Sequence, residues 1–252
     1  MEIQVNFKGN KYKVNLDKPI DVSIELVPGK LGVNCFYAPV FDAEPVRMGS
    51  FVGSTKEGGK VNFKDVKINP HGNGTHTECV GHISNGEFTI NNVLKTFHFM
   101  TKLVSLFPEQ QNNGDRIITK SQIVEIFEPK EVESLTIRTL PNSVDKKQRN
   151  YSGTNPPYID SEGIKFLVNN GLKHLLVDLP SVDKEDDEGQ LLAHKAFWEY
   201  PEYINLDRTI TELVFIPEEI IDGYYLINLQ IISFALDACP SKPVLYKLQI
   251  NE

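Results

Sequence analysis

The chain has 252 residues, 34 of them acidic and 26 basic, for a net charge of −8 with neutral histidines. An acidic surface disfavours polyanionic partners such as nucleic acid and anionic membrane, and 40% apolar with 24% charged residues excludes a disordered chain. No apolar run approaches membrane-spanning length, the alternating start Met1 to Lys8 lacks the form of a signal peptide, and Cys35, Cys79 and Cys239 are too sparse for a disulfide framework, which points to a reducing cytoplasm.

Ile3, Val5 and Phe7 alternate with polar residues, Gly9-Asn10 supplies a turn, and Tyr12, Val14 and Leu16 alternate again, so a hairpin opens the chain. Asp21 to Leu26 reads as a short strand, and the Gly-rich, charged stretch 53–60 as a flexible surface loop. Phe97 to Phe107 is apolar and β-prone up to Pro108. Thr119 to Phe127 reads as a short helix, Leu135 to Leu140 as a strand ending at Pro141, and 141–157 as a long polar loop. Asp160 caps a helix whose apolar positions Ile164, Leu167, Val168 and Leu172 keep helical spacing, and Gly171 ends it. Leu175 to Leu179 reads as a buried strand, 183–189 as a charged loop and Leu191 to Trp198 as a helical stretch. Thr209 to Phe215, Tyr224 to Ile232 and Val244 to Ile250 read as strands. No repeat or linker interrupts this order, so the expectation is one strand-rich α+β domain over 1–252, with the helix of 160–171 packed on a sheet.

The chemistry concentrates in residues 69–84. His71, His76, Glu78 and His82 fall close together there, and imidazole and carboxylate are donors that zinc and manganese accept. In an extended segment, His76 and Glu78 leave on the same face. Gly72 and Gly74 would let the backbone bend so that His71 joins them. A helical turn after the strand returns His82 to the same side, beside the metal, where a general base belongs. His98, in an apolar strand, and His174, before another, read as ordinary surface or core residues. Cys79 leaves three readings open: a nucleophile activated by a histidine, a structural zinc ligand with Cys35 or Cys239, or a small buried filler on the opposite face of the strand. The last is favoured.

On these residues the chain resembles the metal-dependent cyclase-like hydrolase family, which includes bacterial kynurenine formamidase and isatin hydrolase. The family pattern His-x-Gly-Thr-His-x-Asp-x-Pro-x-His meets Gly74-Thr75-His76-Thr77-Glu78-Cys79-Val80-Gly81-His82 here. Asp21-Val22-Ser23, Ile137-Arg138-Thr139, Asp178-Leu179-Pro180-Ser181-Val182-Asp183, His194 and Glu212-Leu213 follow in family order. The chain departs from the pattern in four places. Glu78 stands for Asp, Val80 stands for Pro, His71 lies five residues before His76 instead of four, and the long interval from His194 to Glu212 carries Glu199 and Glu202 as alternative carboxylates.

The resemblance implies a swivelling β/β/α fold, strand-rich with few helices, in which a mostly antiparallel sheet arrangement closes toward a barrel. It implies a homo-oligomer, dimer or tetramer. His71, His76 and Glu78 would be metal ligands, His194 and Glu212 would complete a second position, and one or two zinc or manganese ions would bind. His82 would be the catalytic acid/base. The implied reaction is arylformamidase-like hydrolysis of a C–N bond in a small amide, formamide or cyclic amide. Phe36 and Tyr37, in a region that often lines the pocket in this family, and Trp198, one helical turn after His194, are candidate aromatic walls for binding a flat substrate. Lys195 is the only basic residue adjoining a candidate ligand, which offers little to a phosphate ester. Two other classes stand beside this reading: a non-catalytic metal- or ligand-binding member of the same fold, and a cysteine-nucleophile enzyme using Cys79.

Overall fold

The computed structural model describes residues 1–250 of the chain; the last two lie outside it. Seven strands close into a ring in the order Gly223–Ile231, His98–Leu106, Ser134–Thr139, His174–Val177, Thr209–Glu212, His76–Glu78 and Ala238–Lys247. The last pairs back onto the first. A two-residue strand, Ile20–Asp21, adds to Ala238–Lys247 from outside the ring.

Four neighbouring strands, from His98–Leu106 to Thr209–Glu212, run parallel. The other ring pairings are antiparallel. The barrel is therefore mixed rather than mostly antiparallel, and the reason lies in the connections. Each parallel step carries a helix as its crossover: Lys120–Ile126, then Ser161–Asn169, then Leu192–Trp198. Strands covered by helices on one side and by the barrel interior on the other are buried on both faces. Ser134–Thr139, His174–Val177 and Thr209–Glu212 are buried at every residue.

The helices start where their caps are. Thr119 and Gln122 form a capping box for Lys120–Ile126, and Asp160 accepts from the Glu162 N–H at the head of Ser161–Asn169. Gly171, at φ 97°, turns the chain away after the second helix. Ile164, Leu167 and Val168 pack with Leu135, Ile137, Leu175 and Val177 in one core cluster. The alternate face of the same sheet supplies Leu103, Leu176, Ile227, Cys239 and Leu245 to a second cluster that fills the ring.

Several local expectations are corrected. The opening hairpin pairs Phe7 with Asn10, so its turn is Lys8-Gly9, both at positive φ, one residue earlier than read. The strand expected over 21–26 shrinks to Ile20–Asp21. Residues 42–67 form a long ribbon in which Asp42–Pro45 pairs with Lys64–Lys67 and Arg47–Met48 with Phe51–Val52. The glycines of 53–60 serve close backbone packing rather than looseness. A Cβ on Gly53 or Gly59 would fall 2.1 Å from the Phe63 carbonyl oxygen or 1.9 Å from that of Val52. The closing strand begins at Ala238 rather than Val244, because Pro240 and Pro243 hide its first half from any strand pattern. No helix among the described residues is long and apolar enough to cross a membrane.

Candidate metal centre

The centre grows from the three-residue strand His76–Glu78, held between Thr209–Glu212 and Ala238–Lys247. The two-residue period sends His76 and Glu78 to the same side. Cross-strand register puts Glu212 opposite His76, and His76 Nε2 lies 3.3 Å from Glu212 Oε2.

Just upstream, the helical turn Pro70–Asn73 carries His71. Pro70 opens it, and the Asn69 side chain accepts from the Gly72 N–H at 3.0 Å. Gly72 answers a close approach rather than a sharp bend, since a Cβ there would sit 2.3 Å from Ala38 Cβ. His71 Nδ1 comes 3.2 Å from Glu78 Oε2.

Downstream, the strand runs into a 3-10 turn, Val80–His82. The turn brings His82 back with its ring stacked on His71, centroids 4.2 Å apart, and its Nε2 3.8 Å from Glu78 Oε2. His194, from the helix Leu192–Trp198, places Nε2 3.0 Å from Glu78 Oε1 and 3.9 Å from Glu212 Oε1.

His71, His82 and His194 thus converge on Glu78, and His76 and His194 on Glu212. The alternative carboxylates do not join them. Glu199 bonds Arg208 at 2.6 Å and Asn205 at 2.8 Å, and Glu202 faces solvent.

Two further carboxylates complete the arrangement. Asp183 accepts from His194 Nδ1–H at 2.6 Å and from the backbone N–H groups of Ala193 and His194 at 2.7 and 3.1 Å, so it both orients the ring and caps the helix. Asp237 accepts from His71 Nε2–H at 2.9 Å. Its Oδ2 also lies 3.5 Å from His82 Nδ1. Asp183 stood in a quoted motif with no task attached. Asp237 has no sequence signature, since it is a lone aspartate 166 positions from His71.

The hydrogen bonds decide what the inner nitrogens present. His76 Nδ1–H donates to the Gly74 carbonyl at 2.9 Å. With the outer nitrogens of His71 and His194 likewise occupied, the inner nitrogen of each neutral ring would turn a lone pair toward a carboxylate oxygen, so a proton or a metal cation has to lie between them. Two lone pairs at 3.0–3.3 Å repel unless a cation lies between them. His76 Nε2 and Glu78 Oε2 are buried without any hydrogen-bond partner; the 3.2 Å approach of His71 to Glu78 lacks hydrogen-bond alignment. Such groups cost several kcal/mol to bury alone. Three imidazoles and two carboxylates suit zinc or manganese.

In the metal-free protein, protons take the cation's place. Burial acts to lower the His71 pKa, but the Asp237 and Glu78 carboxylates outweigh it and hold it at about 10. Burial also opposes charge on His194, yet Glu78 and Asp183 raise its pKa well above the usual histidine range. Glu78 is held well below the carboxylate range, its desolvation outweighed by His82 and His194.

A cavity of about 530 Å³ opens onto the centre and is lined by His71, His82, His194 and Glu212. Phe36 and Tyr37 stand in its wall, both in the left-handed region at φ 56° and 54°. Trp198 does not reach it. Its ring is fully buried 5.6 Å behind His194, with Nε1–H donated to the Arg208 carbonyl at 3.1 Å. One helical turn keeps it on the core-facing side of its helix, so it backs His194 instead of walling the pocket. Lys184 joins the lining, tied to Asp115 at 3.0 Å, whereas Lys195 lies elsewhere. Cys79 is buried with its Sγ 3.7 Å from the Phe88 carbonyl, and burial pushes its thiol up to about 12. A walled-in, protonated thiol is no nucleophile.

No curated protein matches the chain. Among solved structures, it superposes on one described as a "Potential Metal-Dependent Hydrolase With Cyclase Activity" with a TM-score of 0.66 at 14% identity, over 91% of this chain and 97% of that one. It also superposes on isatin hydrolase A from Labrenzia aggregata bound to benzyl benzoate (TM-score 0.64, 11% identity, 93% and 94% covered). A third match is isatin hydrolase A from Ralstonia solanacearum (TM-score 0.65, 10% identity, 91% of each chain). At these identities the likeness is one of fold. The sequence itself matches the family Cyclase, described as "Putative cyclase", over residues 20–184. That stretch is more than half of the chain and holds the whole 69–84 segment, and the chain accordingly belongs to the cyclase family.

Proposed function

We propose that the protein is a metal-dependent hydrolase cleaving the C–N bond of a small amide, formamide or cyclic amide. The observation that carries this reading is the convergence of buried donors: His71, His76 and His194 each bring an inner nitrogen to 3.0–3.3 Å from a carboxylate oxygen of Glu78 or Glu212, and His76 Nε2 and Glu78 Oε2 are buried without a hydrogen-bond partner. His71, His76, Glu78, His194 and Glu212 would hold zinc or manganese, as one ion or two. A divalent ion in that position supplies a Lewis acid for the carbonyl oxygen and water acidified toward neutrality.

His82 carries the proton. With Nδ1 turned to Asp237, its Nε2 faces the centre and takes a proton from the attacking water, then returns it to the departing nitrogen. Its side chain is 30% exposed, which leaves it open to the cavity. Phe36 and Tyr37 offer aromatic surface to a flat ring. Lys184 is engaged by Asp115, so the lining holds no free cationic clamp of the kind a phosphate ester needs. The isatin hydrolases of the same fold are named for a cyclic aryl amide, and one was captured with the product analogue thioisatinate. The reading includes one domain and a homo-oligomer. Three free, buried cysteines support a reducing cytoplasm.

Elemental analysis of wild type, His76→Ala and Glu78→Ala, with initial rates on an N-formyl-anilide, an isatin, a dipeptide and an aryl phosphate, tests the proposal. The expected result is metal in the wild type, loss in both variants and fastest turnover of the ring amides. Full metal retention in both variants, or faster turnover of the dipeptide or the phosphate, overturns it.

A further inference from the structure

Each of the four histidines at the centre has its outer nitrogen directed to an acceptor. His76 uses the Gly74 carbonyl and His194 uses Asp183. The other two share a single oxygen. Asp237 Oδ2 lies 2.9 Å from His71 Nε2 and 3.5 Å from His82 Nδ1. The two rings are stacked with planes 27° apart, which brings both outer nitrogens to the same side. The longer approach, to His82, lacks the geometry of a formed hydrogen bond, and contacts of acid/base groups are often this long before substrate binds.

Asp237 is fixed by the sheet rather than by its own side chain. It immediately precedes Ala238, which pairs with Glu78 across the strands. Its carbonyl accepts from the Cys79 N–H at 3.0 Å. A Cβ on Gly81 would fall 3.0 Å from Asp237 Cβ, so the turn that carries His82 lies directly against this residue.

We propose that Asp237 is a positioning residue that sets the ring tautomer of His71 and His82 together. A neutral imidazole carries one ring proton, and the bond made by one nitrogen decides what the other presents. With the His71 proton on Nε2, its Nδ1 lone pair faces Glu78 Oε2, where a metal ligand belongs. With the His82 proton on Nδ1, its Nε2 lone pair faces the centre, where a base belongs. Without the carboxylate, either ring can turn an N–H inward, which removes a ligand in one case and a proton acceptor in the other. The His82 half rests on the hydrolase reading above; the His71 half needs only that metal binds.

The test uses long-range 1H–15N spectra of the imidazoles in zinc-loaded wild type, Asp237→Ala and the isosteric Asp237→Asn, with zinc affinity from chelator competition. Wild type should show His71 protonated at Nε2 and His82 at Nδ1. In Asp237→Ala, the His82 ring nitrogens should move toward averaged shifts and zinc affinity should fall by about 10–100-fold, the usual loss on removing an outer-shell partner. Turnover of a neutral amide should drop in kcat more than it changes in KM. Asp237→Asn, whose amide oxygen can take the place of Oδ2 but is an uncharged and weaker acceptor than the carboxylate, should fall between the two and guards against a misfolded alanine variant. Unchanged ring shifts with unchanged zinc affinity in a folded variant overturn the proposal. So does a loss of thermal stability with no movement of the ring nitrogens, the signature of a merely structural residue. Wild type that binds zinc but hydrolyses no amide overturns the hydrolase reading instead, because the spectra and the zinc titration need no substrate.

Discussion

The strand that delivers Glu212 begins at Thr209, and its neighbour across the ladder is a buried histidine, His174. The His174 ring stacks on Phe99 with centroids 4.1 Å apart, its Nδ1 lies 2.9 Å from Thr209 Oγ1, and the residue is 6% exposed. Burial drives its pKa down from 6.5 to about 4; Glu133 and Asp207 pull the other way without prevailing. Because the folded value is the lower one, the unfolded chain takes up the proton first as pH falls. The stability tied to the neutral ring is complete above about pH 6.5 and is lost toward about pH 4, at about 1.4 kcal/mol per pH unit. Over the whole window this amounts to about 3 kcal/mol, a large share of the 5–15 kcal/mol that holds a typical domain. His174→Gln removes the titration and keeps an amide able to bond Thr209. Urea unfolding of both proteins, treated with chelator, from about pH 7.5 to about pH 4.5 should show wild type losing about 2.5 kcal/mol relative to the variant, with unchanged m-values. Two curves that stay parallel across that range would refute the argument that a desolvated neutral ring sits on this rung.

Asp183→Asn should keep the helix cap, because the amide oxygen still accepts from Ala193, while its N–H opposes His194 Nδ1–H; zinc affinity should fall by about 10–100-fold with little change in the melting temperature of the chelated protein. A lowered melting temperature at full affinity would reduce Asp183 to a cap. His82→Ala should retain metal in elemental analysis and lose roughly two to four orders of magnitude in kcat. Departure of the metal with the imidazole would make His82 a ligand. Cys79→Ser should leave turnover essentially intact, because the thiol is sealed in the core behind the strand His76–Glu78. A collapse in kcat with the fold preserved would restore the nucleophile reading.

The parts of this protein that were legible in its sequence are those governed by neighbours along the chain. The Asp160 cap, the alternating hairpin and the same-face placement of His76 and Glu78 all follow from periods of a few residues. The strands of the parallel run were read as strands, but not their parallel order: strands buried on both faces do not alternate, so the pattern does not say how they lie in the sheet. Ala238–Lys247 was half hidden because its prolines speak against a strand, although the ring accommodates Pro240 opposite His76 and Pro243 opposite Leu229. In the site, the cluster of candidate ligands was visible in the sequence, but the acceptors behind the imidazoles were not. Asp183 and Asp237 are single carboxylates whose meaning comes from where the sheet places them. Trp198 misled because the spacing that puts it on the same side of its helix as His194 says nothing about which of the two reaches the cavity.

The strand His76–Glu78 has no partner from its own half of the chain. Its ladder neighbours are Thr209–Glu212 and Ala238–Lys247. A ribosome that has released the chain only as far as Trp198 has presented His71, His76, Glu78, His82 and His194, but nothing yet holds the ligand strand in line and neither Glu212 nor Asp237 exists. The centre is thus an end-of-synthesis event, with a contact order set by its most distant carboxylate. An ion captured earlier would meet loose imidazoles with no fixed tautomer. Any selection among competing ions at this centre would therefore fall to the finished barrel, and a chain cut before Ala238 keeps most of the candidate ligand residues but loses the scaffold that aligns them.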